Sequence, residues 1–193
     1  MSTFVTMLCW LAALILAGAQ KELLEQWTAC EKFYLVDVWS PQEQYIDASN
    51  VDQHAQDDIY EEARANLAPW AEKTTFFRMY TTDAAKHIPD GSVDFIYVDA
   101  RHDYCGVTED LHNYWPKLRP GGIFAGHDYL TQPENALLKT VNDYSVCEDG
   151  TVNAGAVKGA VNDFAKLHNL QLVITYAEGW PTWYARKPCF RSH

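Results

Sequence analysis

The chain is short of basic residues. Its 193 residues include 15 lysines and arginines against 26 aspartates and glutamates, so the formal net charge is -11 at pH 7. Nucleic acids and anionic membrane surfaces are bound through a basic face, and neither is therefore an expected partner. A small-molecule substrate or a cationic group suits the composition better.

The cysteines lack the spacing of a metal-binding module. There are five, without a CxxC pair among them: Cys9, Cys30, Cys105, Cys147 and Cys189. Structural zinc sites draw on closely spaced thiolates, so a zinc module is not supported. The odd number and the scattered positions predict ordinary thiols.

No apolar run reaches the length of a membrane span. Residues 4–19 are almost wholly apolar, but about 16 residues fall short of the roughly 20 that a spanning helix needs. Two interpretations stay open: a secretory signal with a cleavage site at Ala17-Gly18-Ala19, or a buried strand followed by a buried helix. The chain thus divides into an apolar leader, residues 1–19, and a domain, residues 20–193. A secretory or a cytoplasmic location follows from the same choice.

One stretch organises the rest of the chain. Residues 95–98 form a short apolar run that stops at Asp99, as strands buried on both faces of a parallel sheet do. Apolar residues at helical spacing follow, a Gly-Gly turn ends that helix, and residues 123–125 predict the next strand. Parallel strands joined by a helix end on the same edge, so Asp99 and the His127-Asp128 pair should meet there. Ligands of open α/β sheets bind at that edge.

The remaining pattern predicts an α/β fold. A polar loop is expected over residues 39–58, and a second, longer one over residues 131–153 is of the kind that often covers a site. Alternating segments near the end predict an antiparallel hairpin. The predicted architecture is a doubly wound, Rossmann-like, mostly parallel sheet that ends in this β-hairpin. Its further strands are expected over residues 33–38, 74–80, 170–176 and 182–186.

A specific cluster of motifs lies between residues 99 and 129. It reads D-x-x-H-x-Y, then D-L, W, L-x-P-G-G and G-H-D-Y. This cluster resembles the class I S-adenosylmethionine-dependent methyltransferases, and within them the methyltransferase subfamily that includes cephalosporin-hydroxylase-like proteins. The resemblance runs from about Lys21 to Lys187. It implies S-adenosylmethionine as the cofactor and methyl transfer to a small-molecule hydroxyl or amine.

The resemblance also implies cofactor-binding residues. Asp37 matches the acid at the end of the second strand, whose carboxylate accepts hydrogen bonds from both ribose hydroxyls. Thr82 and Asp83 match the turn that contacts adenine, where Asp83 would accept from the exocyclic amine. Asp99 is expected both in the cofactor site and among the catalytic residues.

A divalent cation is the second expected cofactor. Asp99 and Asp128 match the positions that bind a metal in the metal-dependent O-methyltransferases of this fold, and two carboxylates with waters suit Mg²⁺. His127 as a third ligand would shift the preference towards Mn²⁺ or another transition metal. His102 is a candidate general base. The alternative is that these strand-end side chains cap nearby backbone groups.

The glycine-rich loop of the resembled family is not recognisable. That loop follows the first strand and lets backbone amides approach the cofactor. The corresponding window, about Cys9 to Gln20, contains Gly18 as its single glycine and no acid. A second function is therefore kept beside the enzyme: a non-catalytic or truncated methyltransferase-fold remnant, which a signal segment would make secreted.

Overall fold

The computed structural model describes residues 8–9, 19–176 and 179–189. Strands and helices alternate along most of this length. In chain order they are β1 (Leu8–Cys9), α1 (Ala19–Gln26), β2 (Phe33–Asp37), α2 (Gln53–Leu67), β3 (Thr74–Arg78), α3 (Thr81–Ala84), β4 (Val93–Val98), α4 (Tyr104–Tyr114), β5 (Leu118–Gly126), α5 (Gln132–Ala136), α6 (Ala156–Leu167), β6 (Val173–Thr175) and β7 (Thr182–Arg186).

The seven strands form one sheet in the order β3-β2-β1-β4-β5-β7-β6. The first five strands of the chain pair in parallel, whereas β7 pairs antiparallel with both β5 and β6. The strand order reverses between β1 and β4, which is the crevice where ligands of open α/β sheets bind. The doubly wound sheet with its terminal hairpin is as predicted.

The short strand β1 lies at the centre of the sheet. Leu8 is in register with Tyr34 of β2, and Cys9 is in register with Leu35 of β2 and Tyr97 of β4. This is the pairing expected if the apolar leader supplies the first strand. The residues that would form the following glycine loop, 10–18, lie outside the described part of the chain, so the predicted weakness of that loop stays a prediction.

Helices cover both faces of the sheet. Phe33 and Leu35 of β2 belong to one buried apolar cluster, shared with α1 and α2. Tyr34 and Val36 belong to a second cluster, which α4 and α6 complete. Neighbouring strand residues point to opposite faces, and this alternation therefore places the two clusters on opposite sides of the sheet. Two-sided burial explains why β2 consists of the unbroken apolar run FYLV before Asp37.

Side-chain caps start two helices earlier than predicted. Helix α2 begins at Gln53, within the predicted loop, because the Asp52 carboxylate accepts a hydrogen bond from Ala55 N at 3.0 Å. Asp103 likewise accepts from Gly106 N at 3.0 Å, so α4 begins before Gly106 rather than after it. Strand β6 is shorter than predicted. No helix in the described residues is long and apolar enough to cross a membrane.

The prediction that all five cysteines are thiols is wrong. Cys105 at the start of α4 and Cys147 form a disulfide across 42 positions of sequence. Spacing could not reveal the bond, because only the folded chain brings residues so far apart together. It ties the connection after α5 to the helix that follows Asp99.

Candidate active site

A cavity opens at the carboxyl ends of β2 and β4. Asp37 at the end of β2 and Asp99 at the end of β4 line it, and further walls come from the start of α3, from α4 and from the loop after β2. The strand ends therefore meet at one edge, as parallel pairing requires. Its lining includes Asp37, Tyr45, Thr81, Asp99, Arg101 and Asp110.

Asp37 is buried at the floor of this cavity. Its Oδ1 accepts a hydrogen bond from Trp39 N at 2.8 Å. Burial raises the pKa of the carboxyl to about 7, and the charge of Asp99 adds to this, while the backbone amides of Trp39 and Val38 oppose it. A ligand that donates hydrogen bonds would favour the ionised form and lower that pKa.

The structure separates the two predicted adenine residues. Thr82 lines the cavity beside Thr81, but Asp83 does not contribute to the wall. The carboxylate of Asp83 instead accepts from Lys86 Nζ at 2.7 Å on the surface. Asp110 lines the wall instead. Burial raises the pKa of Asp110 to about 7, although a hydrogen bond from Thr81 acts to lower it.

His102 is surrounded by carboxylates. Its Nε2 lies 3.2 Å from Asp99 Oδ1 and 3.1 Å from Asp128 Oδ2. On the other side of the ring, Nδ1 lies 2.8 Å from the Tyr45 hydroxyl and 3.3 Å from Asp47 Oδ2. All four partners engage ring nitrogens of a side chain that is only 4% exposed. Three acids and one imidazole thus form a single buried network.

The network favours a protonated imidazole. Burial alone would lower the pKa of His102, but Tyr45 and Asp128 outweigh it and the pKa lies well above its usual value. Burial would raise the pKa of Asp128, but His102 holds it below the usual range. The same imidazole lowers the pKa of Asp47 to about 2 against burial. The imidazolium is therefore the counter-charge of the cluster.

Asp99 responds differently from Asp128, although both contact His102 Nε2. Burial raises the pKa of Asp99, and the charge of Asp128 raises it further, while the hydrogen bond to His102 opposes both. Asp99 and Asp128 share the Nε2 of His102, so the two carboxyl groups titrate as a pair.

The structure groups His102, and not His127, with the two carboxylates that were predicted to bind a metal. Ligand atoms of Asp99, His102 and Asp128 all lie within 4.8 Å of one another, so the two carboxylates converge as expected. His127, the predicted third ligand, is outside this group and places Nδ1 3.3 Å from Asp128 Oδ2. Two carboxylates and an imidazole are a donor set that Mn²⁺ or Mg²⁺ accepts, and the buried residues fit such an ion.

Two segments cover His102, and we call them the roof: residues 40–50 and 142–148. They are joined by a hydrogen bond from Asp143 N to Ile46 O at 2.8 Å and by one from Ala48 N to the Asn142 side chain at 2.9 Å. The ring of Tyr144 packs 4.6 Å from that of His102. The predicted covering loop is therefore ordered and packs against the site.

His102 and Asp128 do not reach the cavity wall, whereas Asp99 and Tyr45 do. The predicted general base thus lies behind a carboxylate and a phenol. Tyr45, Asp47 and Tyr144 carry no sequence signal because they lie in loops without a motif. Arg101 carries none because it occupies an unspecified position of D-x-x-H-x-Y.

Comparison with known proteins agrees with this geometry. Residues 5–129 match a family described as a methyltransferase domain, and the chain belongs to that family. By family and fold it belongs with the class I S-adenosylmethionine-dependent methyltransferases. The finer likeness to cephalosporin-hydroxylase-like proteins stays a prediction.

Solved structures show the same fold. An O-methyltransferase family protein from Burkholderia thailandensis has a TM-score of 0.62 at 11% identity, over 95% of this chain and 51% of that one. The N-methyltransferase NodS from Bradyrhizobium japonicum has a TM-score of 0.56 at 13% identity, over 96% of this chain and 86% of that one. A protein from Corynebacterium glutamicum has a TM-score of 0.60 at 12% identity, over 100% of this chain and 75% of that one. Identities this low show the fold alone.

One curated relative matches a shorter region. The uncharacterised protein y4gI of Sinorhizobium fredii is 34% identical over 86 residues, which cover 43% of this chain. The match accounts for 10% of that protein, so the chain spans only a small part of its relative's length.

Proposed function

We propose that the protein transfers the methyl group of S-adenosylmethionine to a hydroxyl or amine of a small molecule. The observation that carries this proposal is the shared cavity of Asp37 and Asp99, the acids at the ends of β2 and β4. The two strands flank β1, so both carboxyl groups face the crevice where the strand order reverses.

The residues present fit the cofactor. Asp37 is buried and lines the cavity, and its carboxyl, whose pKa burial raises to about 7, would accept hydrogen bonds from the hydroxyls of a ribose. Thr81 and Thr82 line the adjoining wall at the start of α3, where the resemblance expects adenine. When bound, the cofactor supplies an electrophilic methyl group on a sulfonium.

In this proposal Asp99 is the proton acceptor. Asp99 would take the proton that the acceptor hydroxyl or amine loses when it is methylated, because its carboxyl lines the cavity in which the acceptor would lie. A base works best when its pKa approaches the working pH, and burial and Asp128 shift Asp99 in that direction. His102 acts through Asp99, because its Nε2 orients Oδ1 from behind.

A divalent cation is proposed as an optional partner of the same acids. Asp99, His102 and Asp128 would hold it, and it would supply charge that favours the ionised form of an acceptor hydroxyl. A cation and the protonated imidazole of His102 would compete for the two carboxylates. The imidazole would have to lose its proton before it could bind the metal. Mn²⁺ titrated into chelator-treated protein, followed by calorimetry, measures this competition.

The test compares Asp99→Asn with Asp163→Asn in the full chain. Asp163 is an exposed acid of α6 that hydrogen-bonds Tyr104 and is not part of the cavity wall. We expect both variants to bind S-adenosylhomocysteine within about threefold of the parent. Turnover of a panel of small phenols and amines should fall on the order of 10²- to 10⁴-fold in Asp99→Asn alone.

Calorimetry with S-adenosylhomocysteine distinguishes an active methyltransferase from a non-catalytic remnant of the fold. If the parent protein binds no S-adenosylhomocysteine, the proposal fails and the non-catalytic remnant is favoured. If it binds the product but Asp99→Asn turns over normally, the cofactor assignment survives and the role of Asp99 does not.

A further inference from the structure

Arg101 is a buried guanidinium whose outer nitrogens have no acceptor. The residue follows Asp99 and Ala100 at the end of β4, and its side chain lines the cavity. Neither Nη1 nor Nη2 has a hydrogen-bond partner within the described ranges, although both atoms are buried. Leaving a buried charged donor unsatisfied costs roughly 1–3 kcal/mol or more, so such a group points to a missing acceptor.

The rest of the side chain is held in place. Nε donates to Asp103 Oδ2 at 2.7 Å, and the other oxygen of that carboxylate caps α4 at Gly106 N. The Asp103 side chain is 1% exposed. The start of α4 holds the Asp103 carboxylate in place, and that carboxylate in turn holds the Arg101 guanidinium. Arg101 is oriented before any ligand arrives.

Two further contacts restrict the position of the Arg101 guanidinium. The guanidinium carbon lies 4.8 Å from the centroid of the Tyr45 ring, in a cation–π arrangement. A Cβ at Gly106 would lie 2.9 Å from Arg101 Cβ and 3.6 Å from its Cδ, so glycine at this position leaves the room that the side chain occupies. These two contacts hold the guanidinium in place in the wall of the cavity.

The guanidinium of Arg101 is planar, and its two unpaired nitrogens match the two oxygens of a carboxylate. Arginine binds carboxylates through two parallel hydrogen bonds, which are stronger than neutral ones and specific in direction. The remaining charged side chains of the wall are acidic, namely Asp37, Asp99, Glu109, Asp110 and Glu148. They repel a doubly charged phosphate more strongly than a singly charged carboxylate, which favours the carboxylate as the anion at Arg101.

We propose that Arg101 binds the carboxylate of the methyl acceptor, which makes the acceptor a small hydroxy or amino acid. This deepens the proposed function and rests on it. Tyr45, against which Arg101 stacks, hydrogen-bonds His102, and His102 contacts Asp99. The anion site and the proposed proton acceptor are thus linked by adjoining contacts. The cofactor's own carboxylate has the same chemistry, and the experiment separates the two sources.

The experiment uses benzoate and its neutral isostere benzamide as probes. Their affinities for the full-length protein are measured by NMR titration, with and without S-adenosylhomocysteine. We expect benzoate to bind at least about tenfold tighter than benzamide. The ratio should fall to near one in Arg101→Gln. It should stay unchanged in Arg64→Gln, which alters an exposed arginine of α2 paired with Glu61.

Gly106→Ala is the second variant. It retains the charge but displaces Arg101, because the added methyl would lie 2.9 Å from Arg101 Cβ. We expect it to lower the benzoate preference at least threefold. Circular dichroism confirms that each variant is folded. Equal binding of the two probes by the parent, or a preference that survives both substitutions, would overturn the inference.

A third comparison locates the carboxylate. S-adenosylhomocysteine carries one, and 5′-methylthioadenosine lacks the whole amino-acid part. If Arg101→Gln weakens only the former and spares benzoate, Arg101 serves the cofactor and the acceptor assignment is overturned. If the parent binds neither nucleoside but keeps an Arg101-dependent benzoate preference, the anion site stands while the proposed methyl transfer fails.

Discussion

The hydroxyl of Tyr45 lies 2.8 Å from Nδ1 of His102. This contact joins a roof residue to the residue that orients Asp99, so the roof is part of the site's electrostatics as well as its cover. Tyr45 also touches the cavity and stacks on Arg101. A single phenol therefore links the buried network, the anion site and the space where a substrate would lie.

His102→Gln should destabilise the protein strongly. It leaves Asp47, Asp99 and Asp128 buried without their counter-charge, and breaking such an ion cluster costs on the order of 3–5 kcal/mol at pH 7. The pKa of His102 is raised on folding, so its contribution is lost as pH rises through that folded pKa. The pKa of Asp47 is lowered, so its part is lost as pH falls towards about 2.

The deficit of His102→Gln should therefore be largest between about pH 4 and about pH 6.5, and it should shrink as pH rises further towards the raised pKa of His102. Urea denaturation across pH 3–9 measures it. His54→Gln, at an exposed histidine of α2, should leave the free energy of unfolding nearly unchanged. A deficit that does not vary with pH would contradict the ionic account.

Asp37→Asn should weaken S-adenosylhomocysteine binding by on the order of 1.5–3 kcal/mol at pH 8. Because the pKa of Asp37 is raised to about 7, the parent's affinity should fall as pH drops below 7, and the variant's should not. Calorimetry at pH 6, 7 and 8 measures both. Asp83→Asn is the matched control, and an equal loss there would return Asp83 to the cofactor site.

Asp110→Asn should stabilise the protein in alkaline solution. Burial raises the pKa of Asp110 to about 7, so folding binds a proton and the parent loses stability between about pH 4 and pH 7. The variant does not titrate, and its advantage should grow over this range to on the order of 1–3 kcal/mol above pH 7. Asp58→Asn, at an exposed acid, should show no such trend in thermal unfolding.

Removing the disulfide should cost about 2–4 kcal/mol, because the bond closes a long loop of the unfolded chain. We expect Cys105→Ser with Cys147→Ser to lower the free energy of unfolding by this amount in urea. A reductant should impose the same loss on the parent and none on the double variant. Cys189→Ser, at an exposed cysteine, is the control; a parent insensitive to reductant would refute the stabilising role.

The sheet could be predicted because its strands are short apolar runs that end at acids, such as FYLVD ending at Asp37. The carboxyl edge followed from parallel pairing, which is why the convergence of Asp99 with Asp128 was predictable. The choice of His102 over His127 was not, because it depends on where the α4 cap turns the chain. The positions of Asp47 and Tyr144 depend on loop packing, which leaves no periodic signal in a sequence.

The bond between Cys105 and Cys147 has a consequence for how the site opens. Amide hydrogens exchange through local opening, and a crosslink merges the segments it joins into one cooperative unit. Residues 142–148 therefore cannot swing away unless the start of α4 moves with them, and that start is held by the Asp103 cap. Residues 40–50 carry no such crosslink. Ligand entry should accordingly proceed by movement of residues 40–50, whose amides should exchange faster than those of residues 142–148.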